Sequence, residues 1–334
     1  MRTRPKKIYH AYQGKGRGKT RALRTAGIAS AAILLLLLAC FLNHRIRLRA
    51  ENKLLLPPGP MADVDGRQMH VYTEGSGDET LVFLSGGGTC APMLDFKSLY
   101  TLLSDDCRIA VVEKFGYGYS EDSGGRPRDI DTILDDTRSA LLAAGLEGPY
   151  ILCPHSMSGL EALRWAQKYP EEVQAIVGLD MAVPEAYEDM SINMFTLRLG
   201  QLAVNLGIGR LIPGLAEREA IRFGALTETE KASYRALFHR RTASPDMLAE
   251  AAAVKDNART VSAGGRPQVP MLLFISDGSG GTGFPEETWR DFQRNYLIGA
   301  ENTRYVELDC PHYVHDHAYR QISAEIRSFI QSLH

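Results

Sequence analysis

The chain has 334 residues, of which 44% are hydrophobic and 23% are charged. This length is enough for one large α/β domain with an inserted subdomain, and the composition excludes a disordered chain. The formal net charge of −2 conceals an asymmetry, because the first 53 residues hold 13 Lys and Arg against the single acid Glu51. That segment is about +12 and the remainder about −14, which predicts a basic arm with a partner of its own.

An apolar run follows the basic residues. Ala26–Leu42 contains no charge, and at about 1.5 Å per residue it spans roughly 25 Å, just short of a bilayer core of about 30 Å. We therefore predict a transmembrane anchor at residues 26–42. Nine Lys and Arg precede the run and four follow it, so residues 1–25 are predicted to be a cytoplasmic arm and the part of the chain after the run to lie outside the cytoplasm.

Two other interpretations of this segment stay open. A cleaved signal peptide would require an unusually long basic region, and no good small-x-small cleavage site follows the run. A lipoprotein is suggested by Leu37-Leu38-Ala39-Cys40, although Phe41 and Leu42 continue the apolar run past the cysteine.

After a linker at residues 43–60, apolar runs typical of strands alternate with helical patterns. Several runs are continuous, as in Leu81-Val82-Phe83-Leu84, which favours strands covered on both faces and a mostly parallel, doubly wound sheet. The predicted strands are Gln68–Thr73, Thr80–Leu84, Arg108–Glu113, Tyr150–Cys153, Ala175–Asp180, Met271–Ser276 and Thr303–Leu308.

One interval of about ninety residues breaks this alternation. It contains several Met, Leu and Phe residues and then a charged helical stretch, Thr227–Lys255. We interpret residues 185–264 as a helical cap over the carboxyl ends of the strands, with the core formed by residues 61–184 and 265–334.

The strongest chemical signal is the central serine of Cys153-Pro154-His155-Ser156-Met157-Ser158-Gly159. A serine hydroxyl is a weak nucleophile until it is presented sharply and paired with a base. A tight turn between a strand and a helix does this and leaves the next backbone N–H near the reacting carbonyl. Ser156 is thus the candidate nucleophile, although Pro154 stands where such turns usually have a glycine.

A glycine run, Gly86–Gly88, follows an apolar strand directly. We predict that the Gly87 and Met157 N–H groups form an oxyanion hole. A phosphate-binding loop would need a lysine after the glycines, and none follows.

Late in the chain, His312 comes directly after a predicted strand and before the last helix, where a base could reach Ser156. His315 is the alternative base. The trio of His312, His315 and His317 also resembles a metal cluster, but an exposed helix start explains it more simply.

Together these residues resemble the α/β-hydrolase family over residues 61–334. Gly86–Gly88 matches the family's glycine loop, with Ser85 where many members have histidine, and Glu113–Ser120 is similar to its D-x-x-G-x-G-x-S turn. Ser156 matches the nucleophile and His312 the late histidine, in the family's usual order.

In this family a serine, a histidine and an acid that orients the histidine form a catalytic triad. The resemblance leaves two candidates for that acid. Most relatives carry it in a turn that is here Ser276-Asp277-Gly278-Ser279-Gly280, where Gly280 occupies the usual position of the aspartate. Pancreatic lipases instead use an acid after the strand that follows the nucleophile helix, and Gly178-Leu179-Asp180 is similar to that turn. We therefore expect Asp180, with Asp277 as the alternative.

The resemblance implies a serine hydrolase of the carboxylesterase type that forms an acyl-enzyme. The Met, Leu and Phe content of the cap favours a small-molecule substrate with an apolar acyl or alkyl group. The alternatives are an iminopeptidase-type aminopeptidase, which would hold a substrate amine with an acid such as Glu185 or Glu188, and a non-catalytic binding or signalling module. We expect no cofactor, no metal and no nucleic-acid partner.

Overall fold

The computed structural model describes residues 14–188 and 190–334. These residues contain eight strands: β1 (Met61–Val64), β2 (Arg67–Glu74), β3 (Thr80–Leu84), β4 (Arg108–Glu113), β5 (Tyr150–Pro154), β6 (Val173–Leu179), β7 (Met271–Ile275) and β8 (Thr303–Glu307). They form one sheet in the order β1-β2-β4-β3-β5-β6-β7-β8. β2 pairs antiparallel with β1 and β4, and every later pairing is parallel. The predicted fold class is therefore confirmed.

Helices surround the sheet and precede it. They are α1 (Gly14–Glu51), α2 (Pro92–Asp95), α3 (Lys97–Leu103), α4 (Ile130–Ala143), α5 (Gly159–Lys168), α6 (Met194–Asn205), α7 (Glu219–Arg222), α8 (Glu228–Arg241), α9 (Pro245–Ala263), α10 (Glu286–Leu297), α11 (Val314–His317) and α12 (Tyr319–Gln331).

The continuous apolar strands are buried on both faces of the sheet. Successive side chains of a strand point to opposite faces, and in β3 Leu81 and Phe83 join one core cluster while Val82 and Leu84 join the other. All five β3 residues are buried, as are all five of β7. Strands of this kind need a helical layer on each side, which the helices supply.

The sequence patterns missed β1, which is only four residues long. It pairs with β2 through a two-residue turn, Asp65-Gly66, because Val64 lies opposite Arg67. Both turn residues have positive φ, 52° and 79°, as a type I′ hairpin requires. The Asp-Gly pair is itself a hairpin signal that the apolar periodicity does not contain.

The predicted cap segment contains two kinds of helix. α6 buries none of its side chains, whereas α9 packs Val254, Ala258 and Val261 into the main core. α9 also bonds to the start of α4, since the Asn257 side chain accepts from Ile130 N–H at 2.8 Å. The cap boundaries 185 and 264 remain a prediction, but the packing groups α9 with the core.

α1 runs for 38 residues, so it continues through the first part of the predicted linker at 43–60. The described part of α1 includes a stretch long and apolar enough to cross a membrane, a property that a signal sequence near the N-terminus shares. Arg45, Arg47 and Arg49 extend the helix beyond the apolar run as exposed basic residues. The first half of the predicted basic arm, residues 1–13, lies outside the described residues.

Candidate active site

The candidate catalytic residues follow neighbouring parallel strands. Ser156 comes after β5, Asp180 directly after β6, and His312 in the loop after β8. The carboxyl ends of parallel strands share one edge of the sheet, which is where open α/β sheets bind their ligands. The sheet order thus brings together residues that are far apart in sequence.

Ser156 occupies a strained turn. Its φ is +54°, in the left-handed region that non-glycine residues rarely adopt. The turn is held from outside: Ala182 N–H donates to the Ser156 carbonyl at 2.8 Å, and the Ser158 hydroxyl donates to Leu84 O at 2.6 Å. Gly159 allows this closeness, because a Cβ there would lie 2.2 Å from the Ala182 carbonyl oxygen.

The register of the sheet explains why Pro154 is tolerated before the serine. The continuous ladder between β5 and β6 ends at Leu152 and resumes only as an isolated bridge between His155 and Leu179. A proline at 154 falls in this gap and removes no bond of the continuous ladder. The bond to β3 is made one residue later, from His155 N–H to Leu84 O at 3.0 Å.

Asp180 and His312 form a buried pair. His312 Nδ1 lies 2.5 Å from Asp180 Oδ2, and the two side chains are 4% and 0% exposed. A carboxylate can only accept, so Nδ1 carries the proton and Nε2 is left to accept one from a hydroxyl.

Further donors hold the Asp180 carboxylate in place. It accepts from Ser276 N–H at 2.7 Å and from the Ser276 hydroxyl at 2.6 Å. Trp289 Nε1–H donates to it at 2.9 Å. Sequence reasoning identified neither partner, because an indole on a later helix carries no local signal of its contact with a strand end.

Asp277 does not contact His312. Its Oδ1 accepts from Ser279 N–H at 2.8 Å, which closes a local turn. The glycines that follow bring this loop against the histidine instead: a Cβ at Gly281 would lie 2.6 Å from His312 Cδ2. Of the two predicted acids, the structure therefore brings only Asp180 to His312.

The glycine loop lies against the serine turn. A Cβ at Gly86 would be 2.7 Å from Ser156 Cβ, and one at Gly87 would be 2.9 Å from Met157 Cε. Met157 lies in the helical turn Ser156–Ser158 that leads into α5, and the first N–H groups of a helix have no acceptor within it. The two predicted oxyanion donors are thus neighbours of each other and of Ser156.

Two further histidines lie close to His312: His155, to which sequence reasoning gave no role, and His315, the predicted alternative base, whose ring centroid is 4.7 Å from that of His155. His155 donates from Nε2 to the His312 carbonyl at 3.1 Å, and its ring centroid is 4.5 Å from that of His312. Burial lowers the pKa of His155 well below its usual value. Burial likewise lowers the pKa of His315 to about 3, so both rings stay neutral beside His312.

The described residues contain no group of His, Cys, Asp or Glu side chains that could hold a metal ion. His315 is buried, while His317 lies 2.8 Å from Glu219. The trio of histidines in the sequence is therefore divided among separate environments.

The fold and this site define a class of protein in which an open, mostly parallel sheet carries three features at one edge. These are a serine on a sharp turn, a buried Asp–His pair and a glycine loop. A family model for the alpha/beta hydrolase fold matches residues 79–206. YbdG, an uncharacterized protein of Bacillus subtilis, is 37% identical over 281 residues, which cover 82% of this chain and 86% of YbdG. The chain belongs to the α/β-hydrolase fold family.

Solved structures show the same fold. Cfl2 from Burkholderia cenocepacia superposes with a TM-score of 0.62 at 21% identity, covering 80% of this chain and 94% of Cfl2. The haloalkane dehalogenase DbeA-M1 loop variant from Bradyrhizobium elkanii gives 0.59 at 17% identity, covering 82% and 96%. At these identities the likeness concerns the fold alone.

A buried acid near the glycine loop should make the stability of the folded protein depend on pH. Asp95, on α2, accepts from the Tyr234 hydroxyl of α8 at 2.8 Å. Its other carboxyl oxygen has no partner within the described chain. Burial raises the pKa of Asp95 from 3.8 to about 7, so the folded protein keeps a proton that the unfolded chain has already released at pH 5.

Stability should therefore fall as pH rises toward 7 and level off above it. Asp95→Asn removes this titration, and we expect the wild type to lose roughly 1–3 kcal/mol more than the variant between pH 5 and pH 8. Urea unfolding of both proteins in detergent at the two pH values measures this, with Asp105→Asn on an exposed turn as the control. Parallel pH profiles for the wild type and Asp95→Asn would contradict the assignment.

Proposed function

We propose that this protein is a serine hydrolase that cleaves carboxylic esters through an acyl-enzyme, with Ser156, His312 and Asp180 as its triad. The observation that carries the proposal is the 2.5 Å contact between His312 and Asp180 at the sheet edge that also bears the strained Ser156 turn. Membership in a family of hydrolytic enzymes supports it.

In the proposed mechanism, Ser156 Oγ attacks the ester carbonyl while His312 Nε2 takes the hydroxyl proton. The Gly87 and Met157 N–H groups donate to the oxyanion, and Asp180 stabilises the imidazolium that forms. His312 then returns the proton to the departing alcohol. In the second half of the reaction, His312 Nε2 takes a proton from water while the water oxygen attacks the acyl-enzyme carbonyl. His312 then gives this proton to Ser156 Oγ, which leaves as a free hydroxyl.

The aminopeptidase alternative has less support. It needs a carboxylate in the cleft to hold a substrate amine, yet Glu185 and Glu188 are both exposed. Glu188 lines a surface cleft of about 440 Å³ beside α9, together with Lys255 and Arg259. A non-catalytic module would need no strained serine and no buried Asp–His pair.

The first prediction from the proposed function concerns the nucleophile. A fluorophosphonate probe should label the wild type, and Ser156→Ala should abolish labelling because the proposed nucleophile is gone. Ser279→Ala is the matched control, since this serine is exposed and only its backbone groups contact the His312 loop. Unchanged labelling of Ser156→Ala, with an intact melting profile, would refute the assignment.

The second prediction separates the two acids. Removing the acid of a triad lowers kcat by about 10⁴ in a well-studied serine protease, and we expect Asp180→Asn to lose activity on that order. Asp277→Asn should have a mild effect, because Asp277 closes only a local turn. Steady-state kinetics on any ester that is turned over compares them, and the reverse ranking would move the acid to Asp277.

We further propose that residues 26–42 anchor the enzyme in the cell membrane with the catalytic domain outside the cytoplasm. The proposal rests on the apolar part of α1 and on the excess of basic residues before it, which tends to keep that end in the cytoplasm. The arm is then residues 1–25, and the acidic remainder faces outward.

The third prediction tests this topology with tags at both ends of the full chain. Protease added to intact cells should remove the C-terminal tag and spare the N-terminal one. A mature protein that lacks the N-terminal tag would indicate a cleaved signal sequence instead. Protection of the C-terminal tag until the cells are lysed would reverse the orientation.

A further inference from the structure

The cap exposes an unusually apolar surface. Outside α1, the exposed large apolar side chains of the described chain concentrate between 195 and 223, with Leu56, Leu142, Ile298 and Tyr305 as the others. Soluble monomers rarely leave a large contiguous apolar patch uncovered. We call the following residues the cap patch: Phe195, Leu197, Leu199, Leu202, Leu211, Ile212 and Leu215.

The cap patch adjoins the end of the apolar run of α1. Gly207, between the two parts of the patch, packs so tightly on α1 that a Cβ there would lie 2.5 Å from His44 Cβ and 3.0 Å from Cys40 O. Its φ of +75° also favours glycine. Cys40 lies within the predicted span and His44 just beyond it, so this contact occurs where the helix would leave the bilayer core.

An ion pair fixes this arrangement. The Arg210 guanidinium contacts both carboxyl oxygens of Glu51 at 2.8 and 2.7 Å, and its Nε donates to His44 Nδ1 at 3.0 Å. A two-pronged pair of this kind holds orientation as well as distance. The cap patch therefore has a fixed height relative to α1.

The cap patch also adjoins the candidate active site. Ala216 directly follows its last residue and packs against Cys90, which lies two residues beyond the glycine loop. The Cys90 Sγ is in turn 3.1 Å from Thr242 Oγ1 at the end of α8. Buried contacts through Ala216 and Cys90 thus connect the cap patch to the segment that follows the glycine loop.

We propose that the cap patch is seated in the surface of the same bilayer that α1 crosses, and that the active site takes a long-chain amphiphilic ester directly from that bilayer. The substrate part rests on the proposed serine hydrolase function. An interfacial helix buries its apolar face about 5–10 Å into the boundary between headgroups and acyl chains. The exposed Arg45, Arg47 and Arg49 lie at the level of the phosphates, whose charge they complement.

The docking is tested with the full chain in phosphatidylcholine–phosphatidylglycerol vesicles that contain brominated lipids. Both native tryptophans, Trp165 and Trp289, are buried, so a tryptophan placed in the cap patch reports on its own surroundings. Phe195→Trp should lose roughly half or more of its added fluorescence if it lies at interfacial depth. Leu142→Trp is the matched control, because Leu142 is an exposed apolar residue on α4.

Equal quenching of the two variants, or none at Phe195→Trp, overturns the docking. The same holds if Phe195→Trp escapes the lipid quencher but shows a blue shift that grows with protein concentration, because the patch is then covered by a second copy of the chain.

Substrate access is tested with a triple variant, Phe195→Ser with Leu199→Ser and Leu202→Ser, against Ile298→Ser as control. We expect about a tenfold or greater loss on a long-chain ester embedded in the vesicles, and unchanged turnover of a short-chain, water-soluble ester. Equal losses on both esters overturn the access role. If even the wild type cleaves no ester, the hydrolase proposal fails, while the quenching result still decides the docking.

Discussion

The left-handed backbone of Ser156 is the constraint around which the site is arranged. Such a conformation costs a non-glycine residue about 1–3 kcal/mol and persists only where its surroundings over-determine it. Here β3 fixes the turn through Leu84 O, which accepts from both His155 N–H and the Ser158 hydroxyl. The turn after β6 fixes it from the other side through Ala182. The strain is thus held by the three central strands rather than by the turn itself.

Asp180, at the end of the next strand, also has a left-handed backbone that contacts from neighbouring elements hold in place. Its φ is +52°, and its carboxylate is fully buried, a state that is tolerated only when the charge is paired or hydrogen-bonded. Ser276 at the end of β7 and Trp289 on α10 supply donors, and His312 from the loop after β8 completes the set. The buried carboxylate therefore ties together the ends of three successive strands and sets the orientation of the imidazole.

Periodicity and turn chemistry were sufficient to predict most of the sheet and the elements that carry Ser156 and His312. Continuous apolar runs admit few other structures, and a serine between a strand and a helix is a local pattern. The choice between Asp180 and Asp277 rested on family likeness, because both follow a strand and only the register decides which one meets His312. The contact of Trp289 with Asp180 spans 109 residues and has no local signature. The short β1 does have a local signal, the Asp65-Gly66 turn, but it was missed because the strand prediction relied on apolar periodicity.

Because α1 packs against the cap, a membrane anchor formed by α1 would fix the orientation of the folded domain as well as hold it at the membrane. A flexible linker would let the hydrolase domain tumble near the membrane, but α1 remains helical to Glu51, nine residues past the predicted span, which at 1.5 Å per residue is roughly 14 Å. The ion pair between Arg210 and Glu51 holds that extension against the cap, and Gly207 permits the two to pack closely. With α1 as the span, the domain has one orientation toward the bilayer, and the surface it presents is the apolar one. Under the proposed membrane docking, α1 and the cap patch would place the rim of the glycine loop close to the bilayer, where a substrate poorly soluble in water would be held.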